Sequence, residues 1–600
     1  MFKYTILNAA PAIMNYNLNK ATDQKQQKIS TYGALKKLLA LISDEKKNLL
    51  YAFIAILFNS AVNLTGPFLI GYTIDRYVQT KQYQGVLIIS GLLFGMYLAG
   101  LVASYLQTKL MGGVGQRTLF KLRNAIFNKL QELPLAFFTQ NKAGDLISRV
   151  NNDTDKLNQF FSQSLMQFIG SIFIMSGAAI FLLTINPPLG AAALAPAVLL
   201  WIFTKATTRW VKSKNALFLK STGNISAEIQ ESLNNFKVIV AFNRRDYFRK
   251  KFDEANQQNF SAAIGSGLAN NIFIPVFGFS SNIGQLIVLA FGIYLIGKGH
   301  FSVGLLISFL AYANNFYNPL RQIAALWANF QVALAGWDRI SQILSLETDL
   351  TTVNDLEQRN SSSLLAFRNV SFRYPDSDLI LEDVNFDLER GKTYALVGLT
   401  GGGKTTTASL LARLYDPQKG IVLLEGKDLR SYTVEERTKK IGFILQDPFL
   451  FTGTVRENIL YGNELYKNFS SEQLEKALGK ANFGSLLARF ETGLDSKVQA
   501  NGDSISLGQK QLIAFMRAIL RKPDILILDE ATANIDTVTE KLLEEILQKL
   551  PAGTVRVIIA HRLNTIENAD EILFVNSGKI VRAGSFREAV DMILHGEKKK

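Results

Sequence analysis

The stretch Thr393-Tyr-Ala-Leu-Val397-Gly398-Leu-Thr-Gly-Gly-Gly403-Lys404-Thr405-Thr406 decides how this chain is to be read. An apolar run leads into the spacing GxxxxGKT, and a helical pattern follows over Thr406 to Tyr415. Strand, glycine loop and helix in that order are the context in which this spacing holds a nucleoside triphosphate. Glycines let successive backbone N–H groups wrap a phosphate chain closely. The helix start adds the positive end of its dipole. Gly398, Gly401 and Gly403 form the loop. Lys404 can reach the β- and γ-phosphates and the Thr405 hydroxyl can hold Mg²⁺. With Thr406 they are the candidate phosphate-binding residues.

A second motif lies downstream. Ile525-Leu-Ile-Leu528-Asp529-Glu530 reads as a buried strand ending in two carboxylates. Asp529 can bind Mg²⁺ directly or through water. Glu530 is then placed to orient or deprotonate a water attacking the γ-phosphate. Alone this motif is weak; behind the phosphate loop it is strong.

Outward from these motifs the composition is uneven. The chain has 600 residues, 48% of them hydrophobic, with a mean hydropathy of +0.12. Long apolar runs fill roughly residues 48–330, and charge is denser after about 340. Six segments, 49–74, 84–108, 159–184, 188–207, 268–297 and 302–328, each hold the ~20 apolar residues needed to cross a bilayer. The connections 75–83, 185–188 and 298–301 are short and carry few charges. Those over 109–158 and 208–267 are long, helical in pattern and rich in Lys and Arg. The positive-inside rule puts both long segments, both termini and the C-terminal half in the cytoplasm. The formal charge of +15 has the same origin. No arginine-rich arm or nucleic-acid motif accompanies it, so a nucleic-acid partner is not expected. Leu35, Leu38, Leu39 and Ile42 recur at helical spacing, the pattern of an amphipathic helix lying on the inner membrane surface or of a plain cytoplasmic helix.

The absence of cysteine excludes disulfides, thiolate metal sites and a cysteine nucleophile. His300, His561 and His595 are too scattered for a metal cluster. Strong charges are nearly absent from the spans, which argues against an ion-driven mechanism and suits an amphipathic or apolar cargo. Polar residues there, such as Asn59, Asn63, Gln285, Asn314 and Asn315, are each better explained by helix–helix hydrogen bonds.

At Ile505-Ser506-Leu507-Gly508-Gln509-Lys510-Gln511 the sequence resembles the signature of ATP-binding-cassette ATPases. Tyr374 resembles the aromatic that stacks on adenine, and Gln446 the Q-loop glutamine. Ala533-Asn534-Ile535-Asp536 resembles the D-loop, and Ala560-His561-Arg562-Leu563 the switch histidine and its surroundings. Upstream, Phe137-Phe138 through Gly144-Asp145 to Arg149-Val150, and Glu231 through Phe236-Lys237-Val238 to Arg244, look like the two cytoplasmic loops of exporter half-transporters. The resemblance covers nearly the whole chain.

It implies an all-α six-helix transmembrane domain with long cytoplasmic extensions, followed by an α/β P-loop ATPase cassette. The expected domains are a tail and amphipathic helix over 1–48, the transmembrane domain over 49–330, a linker over 331–362 and the nucleotide-binding domain over 363–600. Catalytic roles fall to Glu530, His561 and Gln446. ATP is held by Tyr374, Gly398, Gly401, Gly403, Lys404, Thr405, Thr406, Ser506, Gly508, Gln509 and Asp536, and Mg²⁺ by Thr405, Gln446 and Asp529. Two cassettes are expected to face each other head to tail, so that Ser506 and Gly508 of one chain complete the ATP site of the other. Helices of the two long cytoplasmic segments would dock on the cassettes. The implied function is ATP-driven export of an amphipathic or hydrophobic substrate by alternating access, with a second half-transporter chain as partner. A homodimer is favoured over a heterodimer. A lipid flippase, or the catalytically competent half of a heterodimer, is the alternative. The expected location is a bacterial inner membrane. The chain departs from the family pattern at Leu399, Gly402, Ile505, Leu507, Ala533 and Ala500-Asn501-Gly502-Asp503.

Overall fold

A computed structural model of the chain describes residues 15–18, 40–350, 352–354, 363–375, 377–480, 484–499, 505–529, 537–548, 550–559, 567–583, 587–588 and 591. Leu35, Leu38 and Leu39 of the expected amphipathic helix lie outside the described residues, as do Ala500 to Asp503, Glu530, the stretch Ala533 to Asp536, and Ala560 to Leu563. The chain divides into two compact units, one of residues 25–130 and 144–345, the other of 1–24, 131–143 and 346–600.

The first unit is helical. Its long elements are α1 (Lys46–Thr73), α2 (Tyr83–Glu132), α3 (Leu165–Ile185), α4 (Pro187–Asn234), α5 (Arg245–Asn271), α6 (Phe273–Gly297) and α7 (Val303–Leu344). Among the described residues, five stretches are long and apolar enough to cross a membrane: Ser43–Val78, Tyr83–Glu132, Ala143–Ile185, Pro187–Asn234 and Arg245–Gly297. The sixth expected span, 302–328, is helical within α7, but Asn314, Asn315 and Asn318 interrupt its apolar run. With 50 residues, α2 is about 75 Å long. A bilayer core is only about 30 Å thick, so the helix runs far past membrane depth.

Local chemistry sets the helix boundaries. Asn186 ends the chain's run through α3 and caps α4, its side chain accepting from Leu189 N at 3.1 Å, with prolines in the first turn where no N–H is needed. Ser302 caps α7 in the same way through Leu305 N. Asp75 adds a charge there, accepting from Gly304 N at 2.8 Å and from the Ser302 hydroxyl. A carboxylate at a helix N-terminus is favoured by the helix dipole.

The core of this unit joins α3, α4, α6 and α7 through Ala178, Leu182, Leu189, Ala193, Val288 and Phe309. Tyr312 stacks on Phe181 and donates to Leu64 O at 2.7 Å; Tyr317 donates to Ala193 O at 2.8 Å. Gln285 donates to Asn314 at 2.8 Å, and Asn270 to Asn215 at 2.9 Å. These polar side chains are thus used between helices, as expected for helix packing in a bilayer. A buried ion network ties the turns after Ala143 to α7. Arg149 binds Asp145 at 2.9 Å, while Asp153, fully buried, binds both Lys156 and Arg339 at 2.8 Å.

The second unit is built on β-structure. Its strands are β1 (Leu365–Phe372), β2 (Leu381–Leu388), β3 (Thr393–Val397), β4 (Lys419–Leu424), β5 (Lys427–Asp428), β6 (Ile441–Ile444), β7 (Gly453–Thr454), β8 (Lys497–Val498), β9 (Ile525–Asp529), β10 (Val555–Ile559), β11 (Glu571–Asn576) and β12 (Lys579–Ala583). One sheet has the order β12-β11-β3-β10-β9-β6, and a smaller one β2-β1-β4-β5. In the larger sheet β11, β3, β10, β9 and β6 are parallel. Its central strands are continuous apolar runs buried on both faces, as parallel strands under helices must be. By residue type alone, Leu364–Phe367 and Val370–Arg373 read as two short strands; they form one strand, β1, with a register shift between Phe367 and Val370. Asn369 sits there with φ 51° and donates to Asp383 at 2.7 Å, so a bulge bends the strand without ending it.

Candidate nucleotide site

The parallel sheet gathers the motifs at one edge. Ile559 pairs with Asp529 and with Leu396, and Ile444 pairs with Leu528. The carboxyl ends of β3, β10, β9 and β6 therefore lie side by side. The chain leaves these ends into the glycine loop, toward His561, at Asp529 and toward Gln446, respectively. Ligand sites in parallel α/β sheets form in this position. Asp529 is buried at the end of β9. Gln446 is exposed just beyond β6. Glu530 follows directly on β9 and His561 comes two residues after β10, but both lie outside the described residues, and so does Asp536.

After β3 the backbone turns through Gly398 (φ 149°), Gly401 (φ 83°) and Gly403 (φ 113°). Only glycine takes these angles without strain. At Gly398 there is a second reason: a Cβ would run into the carbonyl oxygen of Val575. Helix α8 (Lys404–Leu411) starts directly behind Gly403. Lys404 is buried, and its Nζ donates to Gly398 O at 2.8 Å and Leu399 O at 3.1 Å. The ammonium is thereby held over the glycine loop. Thr405 is exposed on the first turn. The helix ends at Leu411, short of the expected Tyr415. Arg413 takes φ 51°, with Arg413 N bonded to Leu410 O and Leu414 N to Ser409 O, a left-handed cap that satisfies the last carbonyls. Asp416 holds the Arg413 side chain at 3.0 Å.

That early stop returns Tyr415 to the site. Tyr374 stands edge to face with Tyr415 at 5.2 Å and with Phe372 at 5.0 Å, and its hydroxyl lies 3.3 Å from Thr406 Oγ1. Tyr374 is thus braced on two rings and tied to α8. Sequence reasoning missed both supports: Tyr415 lies 41 residues from Tyr374, and Phe372, two residues before it, carries no local mark of that role.

Ser506, Gly508 and Gln509 open helix α9 (Leu507–Ile519). Ser506 Oγ accepts from Gln509 N at 3.2 Å and Gln509 Oε1 accepts from Ser506 N at 2.9 Å, a reciprocal cap. Gln509 also donates to Arg489 O at 2.7 Å.

In the helical unit, α1, α3 and α7 enclose an apolar crevice of about 560 Å³. It is lined by Phe53, Leu165, Met166, Trp327 and Phe330 among others, with the exposed Lys46 at its rim. The volume is that of a small-molecule site.

A phosphate loop behind β3, an acidic strand end beside it and a helical bundle able to cross a membrane define a membrane-bound P-loop ATPase. The comparisons place it further. The profile of the ABC transporter transmembrane region matches residues 49–320, and that of the ABC transporter cassette matches 381–533. The uncharacterized ABC transporter ATP-binding protein YfiC of Bacillus subtilis is 34% identical over 93% of this chain and 92% of its own length. A fatty acid ABC transporter ATP-binding/permease protein of Mycobacterium bovis is 32% identical over 83% of this chain and 78% of its own. A probable multidrug resistance ABC transporter, YheH of Bacillus subtilis, is 30% identical over 86% and 76%. The solved structure of a bacterial Atm1-family ABC exporter with ATP bound shares the fold, with a TM-score of 0.76, 23% identity, and 91% and 96% of the two chains covered. The chain belongs to the ABC transporter family and is an exporter-type half-transporter, an ATP hydrolase coupled to transport.

Proposed function

We propose that this protein exports an amphipathic or hydrophobic substrate by alternating access, powered by ATP binding and hydrolysis at a dimer of cassettes. The observation that carries the reading is the sheet edge where the Lys404 loop, Asp529 and Gln446 converge, in one chain with the spanning helices. The apolar crevice with a single ammonium at its rim supports the substrate class. So do relatives named for fatty acid and multidrug transport.

In this reading Lys404 and the loop amides hold the phosphates, and Tyr374 stacks on adenine. Thr405, Gln446 and Asp529 offer a hydroxyl, an amide carbonyl and a carboxylate. These are the hard oxygen donors Mg²⁺ prefers, so the set fits that ion. When bound, Mg²⁺ would neutralise phosphate charge. Glu530 positions the attacking water and accepts its proton, and His561 faces the γ-phosphate. Ser506 and Gly508 serve the ATP of a second chain, in a homodimer with two active sites. Phe449, Phe451 and Tyr461 leave rings exposed beside Arg517 near the Gln446 loop, a surface suited to a docking helix. The termini and cassette lie in the cytoplasm, at a bacterial inner membrane.

The test is the ATPase rate of the chain purified alone in lipid nanodiscs, with Glu530→Gln as the blank and fatty acids, phospholipids and hydrophobic drugs as additives. Turnover that falls at least 100-fold in Glu530→Gln, with one amphiphile class stimulating the wild type, is expected. A folded, ATP-binding chain without turnover would overturn the homodimer. Unchanged turnover in Glu530→Gln would overturn the catalytic assignment.

A further inference from the structure

Residues 15–18 are held by an unusually dense set of bonds for a stretch so near the chain start. Tyr16 is 1% exposed and Leu18 2%. The Tyr16 ring stands edge to face on Phe137, in the short helix Leu135–Gln140 of the first long segment between spans. Tyr16 N donates to Gln140 Oε1 at 2.9 Å. Asn141, which ends that helix, donates to Tyr16 O at 2.9 Å and accepts from Leu18 N at 3.1 Å, while also donating to Phe137 O. One amide side chain thus closes the helix and pairs with the tail backbone, as a strand neighbour would.

The Tyr16 phenol points the other way. It donates to Glu347 O at 3.1 Å and accepts from Asp349 N at 2.9 Å. Burial pushes its pKa up, so it stays a neutral donor and acceptor at any physiological pH. Tyr16 therefore joins the helix Leu135–Gln140 to the backbone at 347–349, which leads into the cassette, with Leu18 fastened beside it on Asn141. All three segments belong to the same compact unit.

The helix they hold lies on the adenine side. Pro134, Ala136, Asp349, Leu350, Phe372, Leu414 and Tyr415 close around a cavity of only about 10 Å³. Thr139 faces the Tyr415 phenol. Tyr415 braces Tyr374, and Tyr374 meets Thr406 of α8.

We propose that Asn15–Leu18 is an intramolecular clip that holds the helix Leu135–Gln140 against the cassette beside Tyr415, making Tyr16 a positioning residue that couples ATP occupancy to the membrane helices. The proposal rests on the ATP-driven reading above. A packed ring and a set of buried hydrogen bonds have discrete arrangements, made or broken, which is what a coupling element needs. With the clip closed, the helix moves with the cassette. With it open, the helix is released, and Tyr415 loses the surface that steadies the adenine aromatic.

The test uses the full-length protein in nanodiscs as wild type, Tyr16→Phe, Tyr16→Ala and Asn141→Ala, with two readouts. The first is hydrogen exchange. Tyr16→Ala and Asn141→Ala are expected to speed exchange over 135–141 at least tenfold, while β3, β9 and β10 keep wild-type protection. Tyr16→Phe keeps the ring but removes the phenol, so it is expected to release the Asp349 amide and leave 135–141 largely protected. The second is ATPase kinetics. Tyr16→Ala is expected to raise KM for ATP at least threefold with kcat within twofold, and Tyr16→Phe to recover most of that change. A damaged cassette would instead lower kcat at constant KM. Wild-type exchange over 135–141 and at Asp349 in these variants would overturn the clip, and so would exchange that rises equally across the cassette. Tyr16→Phe keeps the question decidable if Tyr16→Ala does not fold. Absent wild-type turnover would count against the ATP-driven reading alone, because the exchange arm needs no catalysis.

Discussion

Tyr374 and Tyr415 stand at 83° to one another with ring centroids 5.2 Å apart, so the aromatic proposed to stack on adenine is positioned by a second aromatic beyond the phosphate-loop helix. Such a pair is worth about 0.5–1.5 kcal/mol beyond the area it buries. Tyr415→Ala should therefore raise KM for ATP roughly three- to tenfold, with kcat little changed. An ATP titration of steady-state turnover decides it; an unaltered KM would show that Tyr374 needs no such support.

Lys404 is buried, and the oxygens of Gly398 and Leu399 hold its ammonium over the loop. Lys404→Ala removes the only side-chain cation that the loop motif itself carries. ATP affinity should fall at least tenfold, about 1.4 kcal/mol or more. Fluorescent-nucleotide binding measures this directly. Wild-type affinity in the variant would remove Lys404 from the phosphate site.

Asp153 is fully buried between Lys156 and Arg339. Breaking such a network by removing one partner costs on the order of 3 kcal/mol, whereas replacing the partners together with apolar side chains costs far less. Asp153→Ala should lower the thermal midpoint of the nanodisc-embedded protein markedly. Asp153→Leu with Arg339→Met should recover much of the loss. Equal midpoints for wild type and Asp153→Ala would mean that the network does not stabilise the fold.

Lys440 and then Arg390 hold the Glu425 carboxyl below the ordinary glutamate range, at 2.8 and 2.7 Å. A carboxylate with a depressed folded-state pKa stabilises the protein above its unfolded value of about 4.3. That contribution is lost as pH falls through the lower folded value. The group is partly solvated, so the effect is on the order of 1 kcal/mol or less. Glu425→Gln should be less stable than wild type at pH 7, and the gap should close as pH drops below the ordinary glutamate value. A gap that persisted in acid would point to packing instead of charge. Urea unfolding of the cassette signal over pH 3–7 separates the two.

Much of the site could be read from the chain because its chemistry is local. Gly398 to Thr405 are contiguous, and their spacing alone implies a loop between strand and helix. The apolar run Ile525–Leu528 ahead of Asp529 implies a buried strand for the same reason. Other features were not legible. Asn369 reads as a break between strands, yet a bulge carries β1 through it. The helical pattern of Thr406 to Tyr415 does not show that Arg413 stops α8, since that depends on a left-handed cap and a bond to Asp416.

By itself, the sequence determined the class of protein and the strand, glycine loop and helix of the phosphate-loop motif, because helix-length apolar runs and loop spacing are short-range properties of the chain. Only the tertiary structure decided what stands behind them. The pairing of Ile559 with Asp529 and Leu396 brings motifs far apart in the chain to one sheet edge. Tyr415 finds Tyr374, and Tyr16 reaches Phe137 and Asp349 across 121 and 333 residues. Such contacts follow from the register of a parallel sheet and from the closure of long loops. Both are settled by the packing of the whole unit, and neither leaves a pattern in any short window of sequence.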